Sequence, residues 1–186
     1  MTVKSILKLA TSLLNRKDFL SYLESGSSSD VNLKDEIDTL VACYNVVAEE
    51  LSTFYDKIVY TQKLTVSNGV LKYTQFTYNP VKILSVKDND GKDVDCEILP
   101  TELRTNVNRI VVEYTYIPNK RKLDDESDFK NTPFRERVFA YGIATEYLLI
   151  KGSYEEASLW HDKYVGAIKN SLSIKGCSKI KGRVWW

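Results

Sequence analysis

The side chains best suited to catalysis or metal binding are few in this sequence of 186 residues, and they lie far apart. The only histidine, His161, stands beside Asp162 in a predicted helix, with no second imidazole for a metal site and no thiol nearby. The three cysteines, Cys43, Cys96 and Cys177, are odd in number and widely spaced, unlike a disulfide framework or a paired thiolate site. We therefore expect a reducing compartment, a helix-surface position for His161, and no metal site.

One group of acidic residues resembles a metal-binding loop. Asp88, Asp90, Gly91 and Glu97 coincide with positions three, five, six and twelve of a calcium loop. Val86, however, occupies the first ligand position, and the flanking residues have the composition of strands. We interpret this segment as a hairpin turn.

The remaining candidate motifs do not support a reaction. The acid pairs Glu49-Glu50 and Glu155-Glu156 fall on predicted helices, where adjacent side chains point in different directions rather than toward one substrate. A phosphate-binding loop is missing, because Arg183 follows the last glycine where Lys and then Ser or Thr are required. We expect no catalytic residues, no cofactor and no enzymatic activity.

The C-terminal segment has the most distinctive composition. Residues 163–186 contain six Lys and Arg and no acid, so this stretch carries +6 and the rest of the chain, at a total of +1, carries −5. Cations alternate with apolar side chains near the end, and the candidate binding residues are Lys179, Ile180, Lys181, Arg183, Val184, Trp185 and Trp186. Aromatic and Arg side chains are typical interface anchors, which favours insertion into a partner. Folding back on its own core and stacking on single-stranded nucleic acid are the alternatives.

Apolar periodicity predicts helices on both sides of a β-rich middle. The stripes are Ile6, Leu9, Ala10, Leu13 and Leu14; Phe19, Leu20 and Leu23; and Ile37, Leu40, Val41, Tyr44, Val47, Leu51 and Phe54 on one long amphipathic helix. Thr132-Pro133 predicts the start of a helix that runs to Lys151. A following helix over residues 154–172 should pack antiparallel on it, because almost no linker separates the two.

Between residues 58 and 117 the apolar period changes to two, with turn signals at Asn68-Gly69, Asn79-Pro80 and Asp90-Gly91. The clearest predicted strand places Val94, Cys96 and Ile98 on a buried face and Asp95 and Glu97 on a wet one. We expect a small antiparallel sheet that projects from the helical core. Residues 119–131 contain opposite charges side by side, which indicates a solvated connector.

These patterns predict an α+β fold. A helical core covers residues 1–57 and 118–173, an inserted β-sheet domain covers 58–117, and an extended C-terminal arm covers 174–186. Mean hydropathy is −0.30, and no apolar run approaches the roughly 18–20 residues of a membrane span, so we expect no membrane association.

Three segments of the chain resemble the head-to-tail connector, or adaptor, proteins of tailed bacteriophages. They are 135–147 (RERVFAYGIATEY), 155–160 (EEASLW) and 183–186 (RVWW). The order of a long helix, an inserted sheet, a helical hairpin and a basic tail is also similar to that family. Val184 stands where members of the family often have a second basic residue.

The resemblance implies a structural protein of the virion neck, made in the bacterial host cytoplasm. It implies a closed dodecameric ring beneath the portal, with the C-terminal arm bound to the portal protein and tail proteins on the other side. It further implies that DNA passes through the ring without sequence-specific binding. The alternative from the residues themselves is a monomeric interaction or single-stranded nucleic-acid-binding module that uses the basic, Trp-ended tail.

Overall fold

The computed structural model describes residues 1–26, 31–130 and 132–173, and these residues form the predicted α+β fold. The helices are α1 (Val3–Leu13), α2 (Lys17–Ser25), α3 (Val31–Glu50), α4 (Glu136–Ile150) and α5 (Tyr154–Ser173). The strands are β1 (Ile58–Thr65), β2 (Val70–Lys72), β3 (Pro80–Lys87), β4 (Glu97–Ile98), β5 (Glu102–Arg104) and β6 (Arg109–Tyr116). The predicted arm 174–186 lies outside the described residues.

The chain divides into two compact units. We call Met1–Val47 with Arg121–Trp186 the helical unit, and Ala48–Lys120 the β unit. The predicted insertion, residues 58–117, lies inside the β unit, which begins within α3. In the described part of the chain, every helix is too short or too polar to cross a bilayer.

Helix α4 forms the centre of the helical unit. Its residues Phe139, Ala140, Ile143 and Ala144 are fully buried, and the Phe139 ring stacks on Tyr44 of α3 with centroids 5.7 Å apart. Burial extends around most of the helix, because α1, α3 and α5 all contact it. Helix α4 therefore buries more than one stripe of its surface.

Helices α4 and α5 form the predicted antiparallel hairpin. The chain turns at Gly152, whose φ of +76° belongs to the left-handed region that favours glycine. Tyr141 of α4 contacts Trp160 of α5, with ring centroids 5.6 Å apart. The predicted start at Thr132-Pro133 was wrong, because α4 begins at Glu136 and the Thr132 hydroxyl instead donates to the carbonyl of Phe129, at 3.3 Å.

The stripe of α3 is correct as far as Leu51 and wrong at Phe54, whose side chain is 77% exposed. After Glu50 the backbone forms a π-helical turn over Leu51–Tyr55, closed by the Asp56 N–H to the Leu51 carbonyl at 2.9 Å. A π turn adds one residue to each hydrogen-bonded loop, which rotates the next side chains off the helical stripe.

The β unit contains two three-stranded antiparallel sheets rather than one. Their strand orders are β1-β6-β3 and β2-β5-β4. In the first sheet, alternate residues of β6 are buried on one face: Ile110, Val112, Tyr114 and Tyr116. The predicted strand over residues 94–98 shortens to the two residues of β4, and Ile98 is 55% exposed rather than buried. In this segment only Glu97 and Ile98 pair with β5, and the predicted alternation of buried and exposed side chains does not extend to Ile98.

Residues 121–130, here called the charged strap, are not the solvated connector that their charges suggested. Ser127 and Phe129 are buried, and the strap pairs with the N-terminus through the Val3 N–H to the Asp125 carbonyl at 3.0 Å. The Ser127 N–H donates to the Met1 carbonyl at 3.1 Å. The acidic composition of the strap suggested solvent exposure, whereas its small and apolar residues are buried and hold it in place.

Candidate functional site

The residues predicted to bind a partner all belong to the C-terminal arm. Lys179, Ile180, Lys181, Arg183, Val184, Trp185 and Trp186 lie outside the described residues, and the described elements that precede them are α4 and α5. Helix α5, the last of these elements, is held by Ala157, Tyr164 and Ile168, which are buried.

Two of the three segments that carry the family resemblance form this support. Segment 135–147 covers the N-terminal side of α4 and its buried centre, and 155–160 is the start of α5. Gly142 allows the closest approach: a Cβ built there would lie 2.9 Å from both γ carbons of Val47 and 3.0 Å from the ring of Tyr164. Segment 135–147 therefore packs the hairpin, whereas 155–160 contributes Ala157 to its buried side.

Close to the hairpin turn, large apolar side chains remain in solvent. Leu149 and Ile150 end α4, and Tyr154 begins α5. Tyr154 is 69% exposed, and Leu159, five residues later, is 64% exposed. Trp160 is half-buried, with the Lys163 ammonium 4.1 Å from its ring centroid. Four large apolar side chains, Leu149, Ile150, Tyr154 and Leu159, are thus exposed on or beside the hairpin turn, and we call them the apolar surface. The sequence pattern did not predict this surface, because apolar spacing alone does not show which apolar residues at the end of a helix remain exposed to solvent.

A polar cluster lines a cleft of about 450 Å³ between the connection from α1 to α2, helix α3 and the α4–α5 hairpin. Arg16 donates to the Tyr147 hydroxyl at 3.1 Å, and that hydroxyl donates to Glu36 at 3.0 Å. Lys151 pairs with the other oxygen of Glu36 at 2.5 Å. The hydrogen bond from Lys151 is the main cause that lowers the pKa of Glu36, whereas burial is the main cause that raises the pKa of Tyr147 to about 12. The charged groups of this cluster are paired with one another, and the pairs link α3 to the end of α4.

A second polar cluster fixes the charged strap. The Asn45 side chain accepts from the Arg121 N–H at 2.7 Å and donates to the Arg121 carbonyl at 3.0 Å. Arg121 forms a bidentate pair with Asp128, and the Tyr44 hydroxyl donates to Ser127 at 3.0 Å. Burial raises the pKa of Tyr44, so this phenol stays protonated as the donor. This arrangement is a structural clamp.

The histidine, the cysteines and the acidic loop residues occupy structural positions. His161 lies exposed on α5, as predicted. Cys43 is buried, which raises its pKa to about 12, and burial also raises the pKa of Cys96. Asp88 accepts from the backbone N–H groups of Asp90 and Lys92, both at 2.9 Å, which confirms the hairpin turn. Across residues 1–26, 31–130 and 132–173, no three His, Cys, Asp or Glu side chains are grouped to hold a metal ion.

No protein-family model matches the chain, and no curated protein matches it. Support for a function therefore comes from the residues of this chain, from its packing and from the resemblance of three of its segments.

Proposed function

We propose that this protein is a head-to-tail connector of a tailed bacteriophage, a structural subunit of the virion neck. Copies of the chain form a closed ring, dodecameric by resemblance, that joins the portal protein to the tail proteins and continues the DNA channel. The observation that carries the proposal is the α4–α5 hairpin. Its sequence resembles the connector family, and its turn exposes Leu149, Ile150, Tyr154 and Leu159.

An apolar surface on a rigid support is typical of a subunit that is completed by neighbours. Large exposed apolar patches are uncommon on monomers and mark sites of association. In a ring each subunit offers two different faces, so a surface that is exposed in one copy is covered by the next. The burial of Ala157 and Tyr164 anchors α5 and so fixes the position of Leu159, which is exposed on the other side of the helix.

The C-terminal arm supplies the contact with the portal. Trp185 and Trp186 act as anchors, and Lys179, Lys181 and Arg183 pair with acidic residues of the portal. Each Trp can bury about 150–250 Å², which is on the order of 4–6 kcal/mol before the cost of ordering the arm. One arm therefore binds weakly or moderately. In a ring, later arms bind in an effectively intramolecular step, so the whole joint is hard to dissociate.

The net charge of the chain supports a channel through which DNA passes rather than a surface that binds DNA tightly. The residues before Lys163 carry a net −5. A duplex is held when many phosphates meet cations and release counterions, and a mostly acidic subunit limits that effect. We therefore propose that DNA slides through the ring without sequence-specific binding, and that the protein has no catalytic role.

The arm is tested by deleting residues 183–186 from the full chain. We expect an unchanged melting temperature and unchanged rings, but no co-sedimentation with the portal ring. Lys175→Ala with Ser178→Ala, in the same arm but outside the Trp-ended motif, should still bind. If the deletion instead unfolds the subunit, the Trp pair belongs to its own core and the docking proposal fails. A monomeric chain that binds single-stranded DNA through the same four residues would support the alternative module.

A further inference from the structure

The apolar surface at the hairpin turn has an acidic border on α5. Leu159 is exposed, and Glu155 lies four residues before it and Asp162 three residues after it, which are the spacings that share one helix face. Both carboxylates are exposed, and neither forms an ion pair with any residue that the structure describes. The surface therefore suits a segment that combines apolar side chains with cations.

The C-terminal arm, residues 174–186, has that composition, with four cations and no acidic side chain. Its cations are Lys175, Lys179, Lys181 and Arg183. Its large apolar residues are Ile174, Ile180, Val184, Trp185 and Trp186. The charge and the apolar content of the arm are thus complementary to those of the surface.

The arm is long enough to reach the apolar surface of its own chain. Helix α5 has 20 residues, so it is about 30 Å long, with the hairpin turn at one end and the start of the arm at the other. The 13 residues of the arm span about 43–47 Å when fully extended. This reach exceeds the length of the helix by at least about 13 Å, which leaves room for the chain to reverse direction after Ser173.

We propose that in the free subunit the arm folds back along α5 and binds the apolar surface of its own chain, with Trp185 and Trp186 at the hairpin turn. The inference rests on the proposed function, in which the same residues later bind the portal and a neighbouring copy covers the apolar surface. The arm and the neighbour cannot cover this surface at once, so ring closure displaces the arm and makes it available to the portal. By linkage, the bound arm opposes ring closure by the same free energy, so a chain without the arm should form the same ring at a lower protein concentration.

Release of Trp186 by carboxypeptidase A, followed by mass spectrometry, measures whether the arm is bound. Mass photometry identifies the protein concentrations at which the full chain is monomeric and those at which it forms rings. We expect the terminal residue to be released at least about tenfold more slowly from monomers than from rings, because a bound arm must detach before the protease can cleave it.

Charge reversal tests whether the acidic border of α5 holds the arm. Glu155→Lys with Asp162→Lys on the helix, and Lys179→Glu with Lys181→Glu in the arm, should each speed the release from monomers about tenfold, because two attractive pairs become repulsive. A chain with all four changes should be protected again, because both sides change sign together.

A matched control reverses two exposed acids elsewhere in the helical unit. Glu24→Lys with Asp38→Lys makes the same change in net charge as the α5 variant, and it should leave the release as slow as in the wild type. Circular dichroism should be unchanged in every variant.

Arm length provides a test that does not depend on charge. Deleting residues 174–177 leaves nine residues, which span about 30–32 Å and have no surplus for the reversal. The Trp pair then cannot reach the hairpin turn, so it should be released rapidly from monomers. An insertion of the same length, made of Gly and Ser at the same place, should keep the arm protected.

Equal release from monomers and rings, reversed variants that behave like the wild type, or a chain with no monomeric form at any concentration would overturn the inference. Protection that grows with the concentration of monomers would also overturn it and assign the contact to a neighbouring copy. Rings that bind the portal, although their monomers never protect the arm, would refute the inference and leave the connector function standing. A protected arm in a chain that stays monomeric and ignores the portal would keep the contact and refute the connector.

Discussion

Replacing Gly142 by alanine tests whether the hairpin segment that carries the family resemblance is a packing motif. Gly142 lies in α4, where a Cβ would stand 2.9 Å from two γ carbons of Val47 and 3.0 Å from the ring of Tyr164. Val47 and Tyr164 are both buried, and the β-branched valine has little freedom to move aside. The new methyl group therefore has to push α3 or α5 away from α4.

Two opposing effects set the size of the change. Overpacking a tight core costs about 1–3 kcal/mol, and contacts with two neighbouring helices put Gly142→Ala near about 3 kcal/mol. Alanine returns about 1 kcal/mol through its higher helix propensity. The expected net loss is about 2 kcal/mol, which lowers the melting temperature by about 4–8 °C in a chain of this size.

Gly166→Ala in α5 is the matched control, because a Cβ there meets no atom within 4 Å. It should gain helix propensity without a clash and raise the melting temperature by about 1–4 °C. Thermal unfolding followed by circular dichroism measures both variants. Adding Val47→Ala to Gly142→Ala should recover at least about 1 kcal/mol of coupling energy in a double-mutant cycle. A Gly142→Ala variant as stable as the wild type would refute the close approach of the three helices.

Three further predictions concern polar and thiol groups. Glu36→Gln removes a carboxylate whose pKa is lowered mainly by its hydrogen bond from Lys151. This stabilisation is present above the pKa of the unfolded state and is lost as the pH falls. The free energy of unfolding of the variant should therefore be about 0.5–1.5 kcal/mol lower at pH 7, and this deficit should shrink below about pH 4.3. An equal deficit at every pH would contradict this. Asn45→Ala releases the charged strap and should speed tryptic cleavage within residues 121–130, whereas unchanged cleavage would show that the clamp is unimportant. Cys43, buried and with a pKa of about 12, should stay unlabelled by a thiol reagent at pH 8 in native protein, and rapid labelling would disprove its burial.

The elements that the sequence predicted well are those in which local pattern and tertiary packing agree. The stripe of α3 and the break between α4 and α5 follow from apolar spacing and from Gly152, which are local signals. Phe54 was misplaced because a π turn shifts the helical period, and a regular 3.6-residue pattern contains no sign of that shift. Two sheets were predicted as one because strand pairing depends on distant residues, such as Ile58 opposite Tyr116.

The charged strap shows most clearly what composition cannot reveal. Its run of acids and bases suggested solvent, yet its backbone is held by the side chain of Asn45, far away in the chain, and by the N-terminal residues. The apolar surface at the hairpin turn was also missed, because the exposure of Tyr154 and Leu159 depends on whether another part of the fold packs against them. The candidate arm was selected from residue types alone, and it remains a prediction from the sequence.

The central claim is that copies of this chain form a ring that docks on a portal. Electron microscopy of the full 186-residue chain, alone and after incubation with the cognate portal ring, tests it most directly. The connector proposal predicts closed rings seated coaxially on the portal, and loss of that attachment, with the rings intact, when Trp185 and Trp186 are both replaced by alanine. Single subunits that neither close into rings nor bind the portal would contradict it.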